Sequence, residues 1–128
     1  MKIERFEDLE VWKEGRELCV LVKQLTDKEP FAKDFKFREQ IRASCGSVMD
    51  NIAEGFERDG RKEFIQFLSV AKGSCGETRS QAHRALDFQY ISKDDYEILV
   101  EKTITLSKKL SSFINYLKTS EIKGNKFT

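Results

Sequence analysis

The sequence predicts an all-α protein, an antiparallel up-down-up-down four-helix bundle with left-handed, coiled-coil-like packing. Three observations carry this. A single proline, Pro30, interrupts the 128 residues, so long helices are permitted; proline removes a backbone donor and clashes with the preceding turn. Apolar residues recur at three- and four-residue steps in four separate windows, the spacing of one buried helix face. The windows are roughly 20–28 residues long and closely spaced, which favours antiparallel neighbours.

Composition bounds the rest. Hydrophobic residues make up 39% and charged residues 35%, which suits a thin core under a solvated surface in one domain. The formal net charge of +1 exerts no overall pull toward nucleic acid or membrane. No apolar run approaches the ~18 residues of a membrane span, and the first ten residues are charged where a secretion signal would be apolar. Cys19, Cys45 and Cys75 are odd in number and lack CxxC spacing, so reduced thiols in a cytoplasmic protein are expected.

The first helix is expected to follow a short segment at Phe6 to Leu9 and to reach about Leu25. Val11, Trp12, Gly15, Leu18, Cys19, Val22 and Leu25 form its seam. Thr26 to Asp34 is a loop, because Pro30 stops helical continuation. Phe31 and Phe35 beside it either dock a partner or fold back over the core. The second helix spans about Lys36 to Glu57, with a stripe of Phe37, Ile41, Cys45, Val48, Ile52 and Phe56. A turn at Arg58 to Gly60 leads to the third helix, about Arg61 to Phe88. Its inward residues are Phe64, Phe67, Leu68, Ala71, Cys75, Thr78, Ala82 and Leu86.

The hairpin Gln40 to Gly76 organises the chain. Glycine inside a helix costs about 1 kcal/mol relative to alanine, so Gly46, Gly73 and Gly76 need a reason. A register turning near Asp59 sets Gly46 against Lys72 and Gly73. Two small surfaces meeting there would bring the helix axes toward the lower end of the ~8–10 Å packing range. The same register pairs Arg42 with Glu77 and brings Cys45 near Cys75. Arg42, Asn51, Glu54 and Glu77 form a structural polar network that fixes register, or else a subunit-facing or ligand-facing patch.

Ser92, with Asp95 three residues on, reads as a capping box. The fourth helix runs to about Leu117 on a seam of Tyr96, Leu99, Thr103, Leu106, Leu110, Phe113 and Leu117. The domain is predicted over residues 1–118, with 119–128 a disordered tail. Six lysines from Lys102 onward (Lys102, Lys108, Lys109, Lys118, Lys123, Lys126) face only Glu121, so the C-terminal edge is basic or simply a solvated lysine face.

Enzyme chemistry finds no constellation. A di-iron bundle needs Glu-x-x-His pairs, and the one histidine, His83, has Ser80 three residues before it. GFERDGRK at Gly55 to Lys62 lacks the strand, spacing and Ser/Thr of a phosphate loop. The cysteines lie on predicted buried stripes without a basic partner. No catalytic, cofactor or metal site is predicted.

A family resemblance rests on FEDLEVW (Phe6 to Trp12), Thr26 with Pro30, QIR (Gln40 to Arg42), Ser47, NIAEG (Asn51 to Gly55), Arg58, Glu63 with Phe64, FLSVAKGS (Phe67 to Ser74) and Glu77. These residues resemble the four-helix-bundle proteins named after the 23S ribosomal RNA intervening sequence, small bacterial proteins of which some are encoded within rRNA-gene insertions. The chain departs from the usual pattern at Lys36, Ala43 and Met49. The resemblance implies a four-helix bundle and a ring-like homopentamer. It also implies kinship with the accessory protein of diversity-generating retroelements, which works with a reverse transcriptase and binds nucleic acid through a basic surface.

Two functions follow as expectations. The first is a non-enzymatic homo-oligomer, with Phe6, Trp12, Phe31 and Phe35 as candidate subunit contacts. The second is an RNA- or DNA-binding accessory protein, with Arg58, Arg61, Lys62, Lys108 and Lys109 as candidate phosphate contacts. Neither needs a cofactor, a metal or a membrane.

Overall fold

In the computed structural model, which describes residues 3–120, the four amphipathic windows are four helices. They are α1 (Glu10–Thr26), α2 (Phe35–Glu57), α3 (Arg61–Asp87) and α4 (Lys93–Thr119). Single turns of 3-10 helix stand at Phe6–Asp8 and Phe31–Lys33. Among the described residues there is no strand. The predicted tail from 119 begins too early, since Thr119 closes α4; residues 121–128 lie outside the described residues.

Local chemistry sets the helix ends. Asp34 accepts a hydrogen bond from the Phe37 amide at 3.1 Å, satisfying one of the free donors at the start of α2. Ser92 does the same for the Asp95 amide at the start of α4. The α2–α3 turn needs Gly60, whose φ of 120° side chains rarely tolerate. The end of α3 is closed by amides of Gln89 and Tyr90 bonding back to Leu86 and Ala85, both at 2.9 Å. That double closure is a Schellman motif, and it holds Gln89 at φ 61°.

The helices form a four-membered ring in which each packs on its sequence neighbours and α4 returns to α1. Contacts fix the directions. Along α2 and α3, Phe56 meets Phe64, Ser47 meets Ser74 and Ser44 meets Thr78. Along α3 and α4, Phe64 meets Phe113, Cys75 meets Thr103 and His83 meets Tyr96. Gly15 meets Met49, and Arg42 reaches back to Thr26. Lys109 bonds Glu10 and Glu14, and Lys102 approaches Glu17. In every pair the numbers rise along one helix as they fall along the other, so neighbours are antiparallel.

One hydrophobic cluster fills the ring, and the whole predicted α2 stripe lies in it. Elsewhere some predicted positions shift by one. Ile114 is buried and Phe113 half-buried; the buried α4 positions 99, 103, 106, 110, 114 and 117 keep the period of a straight helix rather than a heptad. On α3, Ala85 and Gln81 are buried while Leu86 and Phe67 are half-buried. On α1, Trp12 and Cys19 lie at the edge of the cluster.

The expected meeting of small windows does not occur. A Cβ added at Gly46, Gly73 or Gly76 would meet nothing within 4 Å. The register differs by about a turn from one centred on Asp59, and these three glycines point away from the core. Close approach happens at other glycines. A Cβ on Gly15 would lie 3.2 Å from the Met49 Cβ, and one on Gly55 only 2.5 Å from the Phe67 Cβ. Gly55, in the last turn of α2, is therefore also a helix-packing residue.

Candidate functional site

The densest polar chemistry inside the bundle is a hydroxyl-lined seam between α2 and α3. Ser44 sits at its buried end, 2.6 Å from Gln81 Oε1, 2.8 Å from Thr78 Oγ1 and 3.1 Å from the Ile41 carbonyl. Thr78 in turn lies 3.0 Å from the Ser74 carbonyl. One turn along, the Ser47 and Ser74 hydroxyls are 2.9 Å apart, and Asn51 Nδ2 donates to the Ser47 hydroxyl and carbonyl. The seam opens into a shallow groove of about 370 Å³ flanked by Gln40, Ala43, Glu77 and Arg84. Among the described residues no buried side-chain nitrogen or oxygen lacks a partner. A buried polar network is stabilising only when its members are satisfied, so this one can link the two helices.

The four residues expected to act together are separated. Arg42 does not reach Glu77. Its guanidinium bonds the Thr26 hydroxyl and Asp27 carboxylate, both at 2.8 Å, because its position on α2 faces the end of α1. Asn51 bonds within α2, Glu54 pairs with Arg58 one turn on, and among the described residues Glu77 receives only a long contact from Gln81 at 3.5 Å. Sequence reading missed Gln81, Ser74 and Asp34. Gln81 is three residues from Thr78 and beside Ala82, a helical step that its amide obscured.

The candidate subunit contacts also divide. Phe31 is 1% exposed, stacked with Phe37 and Tyr90 at ring separations of 5.0 and 5.1 Å, so it closes the core end and cannot meet a partner. Phe35 is 66% exposed, under the Arg38 guanidinium. Phe6 and Trp12 lean on each other at 5.2 Å and stay half-buried.

Most of the candidate phosphate contacts are already engaged. Arg58 sits between Glu54 and Glu63 and over the Phe67 ring. Arg61 donates to the Ser120 carbonyl. Lys109 is clamped by Glu10 and Glu14, whose hydrogen bonds push its pKa up. Lys62 and Lys108 are exposed, and neither has an ion pair among the described residues.

The cysteines are free thiols. Cys45 donates to the Arg42 carbonyl at 3.3 Å and lies beside Cys19 on α1, whereas Cys75 donates to the Thr103 carbonyl on α4 at 3.2 Å. Burial pushes the Cys75 thiol up to about 11. The contact with Cys19, reinforced by burial, raises Cys45. His83 is on the exposed face of α3 and contacts the Tyr96 hydroxyl at 3.1 Å, far from a thiol role. Among the described residues no three His, Cys, Asp or Glu side chains cluster as metal ligands, and no helix is long and apolar enough to cross a membrane.

An antiparallel ring of four helices, with a hydrogen-bonded seam between α2 and α3, defines a small helical-bundle protein. The profile of the 23S rRNA-intervening sequence protein family matches residues 7–112, and the chain belongs to that family. A solved structure of a protein with unknown function from the S23 ribosomal protein family of Bacteroides thetaiotaomicron is similar to it. The two share 26% identity over 82% of this chain and 95% of that one, with a TM-score of 0.75. No curated protein matches.

Proposed function

We propose that the protein is a non-enzymatic, homo-oligomeric interaction module, with a pentamer as the expected assembly. One observation carries this reading. Gly46, Gly73 and Gly76 occupy helix interiors with open space beyond them, so no contact within the chain offsets the ~1 kcal/mol each costs. On the outer side of α3, Gly73 adjoins Val70, which is 52% exposed, and the mouth of the Ser47–Ser74 seam. Low relief beside apolar surface lets another helix backbone approach closely. Light scattering tests it: an oligomer is expected at tens of micromolar, and a strict monomer overturns the reading. Gly73→Leu should keep the helix content of the native chain and lose the assembly.

A second reading is an RNA- or DNA-binding accessory role, acting with rRNA or a reverse transcriptase through a basic surface of the oligomer. Lys62 and Lys108 support it as exposed cations without an ion pair among the described residues. A ring would repeat them in every subunit and turn a modest charge per chain into multivalent binding. Binding to structured RNA across a salt series tests it, with affinity falling steeply as salt rises. A flat salt response argues against it.

A further inference from the structure

Two thiols meet across the α1–α2 contact. Gly15 and Met49 are the close approach of these helices, with an added Cβ only 3.2 Å from the Met49 Cβ. One turn on from Gly15 along α1 stands Cys19, and one turn back from Met49 along α2 stands Cys45. In an antiparallel pair these two positions share one level and one side. The two thiols are close enough to influence each other's titration. Cys19 is half-buried, while Cys45 is 2% exposed and donates to the Arg42 carbonyl at 3.3 Å.

We infer that Cys19 and Cys45 form a dithiol that hydroperoxides convert to an intramolecular disulfide stapling α1 to α2. The asymmetry of the pair sets the order of events. Only Cys19 has access to solvent, and the neighbouring Cys45 lowers its pKa against burial and the nearby Asp50 carboxylate. Its thiolate attacks one peroxide oxygen, the O–O bond breaks, and Cys19 becomes a sulfenic acid while hydroxide leaves and takes up a proton as water. The Cys45 sulfur then attacks the Cys19 sulfur. The S–O bond breaks, and the hydroxyl departs as water with the proton of Cys45. In sum, two thiols lose two hydrogens and one hydroperoxide is reduced. Cys75, enclosed between α3 and α4, is a bystander.

The test is peptide mass mapping of the full chain after hydrogen peroxide treatment and alkylation. The expected product is a cross-linked peptide pair joining Cys19 to Cys45, lighter by two hydrogens and cleaved by dithiothreitol, with Cys75 still a thiol. The oxidised chain should melt at a higher temperature than the reduced one, and Cys45→Ala should abolish that shift. Further oxidation of Cys19 beside an unmodified Cys45, or a Cys19 disulfide joining two molecules, would overturn the inference. Because the product is read on the native chain, the result does not depend on how well a variant folds.

Discussion

Replacing Gly55 with alanine adds one methyl group, and its effect can be worked out from the contact between α2 and α3. The new Cβ would lie 2.5 Å from the Phe67 Cβ and 3.1 Å from Phe64 Cδ1. Ordinary carbon contacts are about 3.5–4.0 Å, so one neighbour must retreat by about 1 Å. The Phe67 Cβ is tied directly to the α3 backbone, so rotating a side chain gives no relief and the helix itself must move. Overpacking of this kind costs about 1–3 kcal/mol, and rigid backbone places this site near the upper end. Alanine's helix propensity returns about 1 kcal/mol, leaving a net loss of about 2 kcal/mol. For a chain of this size that lowers the melting temperature by roughly 6–10 °C. The same substitution at Gly73 meets nothing within 4 Å and should stabilise the subunit by about 1 kcal/mol. Both are measured by thermal and urea unfolding, followed by far-ultraviolet circular dichroism at one low protein concentration, since assembly shifts apparent stability. A Gly55→Ala midpoint equal to or above the native one refutes the claim that Gly55 lies tight against the Phe67 Cβ there.

Ser44→Ala strips Gln81 of its shortest partner inside the seam and should cost about 1–3 kcal/mol, read by urea unfolding. Phe31→Ala should cost about 3–5 kcal/mol as a large core truncation, whereas Phe35→Ala should change unfolding by under about 0.5 kcal/mol. Gln89→Gly relieves the left-handed residue after α3 and should stabilise by up to about 1 kcal/mol, visible as a higher melting temperature. The exposed ion pairs set a pH window. Hydrogen bonds from Lys23 and Lys109 hold the Asp27 and Glu10 carboxyls below their usual values. Their contribution is complete above about pH 5 and is lost as pH falls through the lower folded values. Lys109 is raised by Glu10 and Glu14, so its contribution is complete below about pH 10 and is lost as pH rises through the folded value. Melting temperature should therefore decline at both extremes, and Lys109→Met should reduce both slopes.

How much was legible depended on which property each residue expressed along its own helix. The stripe from Phe37 to Phe56 could be read because six apolar residues at three- and four-residue steps leave one way to face a helix inward. Ser92 could be read as a cap because capping is settled within four residues of chain. Asp34 could have been read the same way, but lay hidden in the loop assigned to Pro30. The partners of Arg42, Cys45 and Gly46 could not be read. Each depends on how far α2 is rotated and slid against α1 and α3, and an error of about one turn in register exchanges one set of neighbours for another.

The sequence by itself determined the number of helices, most of their buried faces and the family, because helix periodicity, turn chemistry and local motifs are encoded over short stretches. Only the tertiary structure decided that Arg42 ties α2 to α1, that Cys45 lies against Cys19, that Gly15 and Gly55 are the points of close approach, and that Gly46, Gly73 and Gly76 face outward. The physical reason is that a helix's periodicity identifies which of its sides is apolar, while the azimuth and height at which two helices lock are set by the packing of all four together.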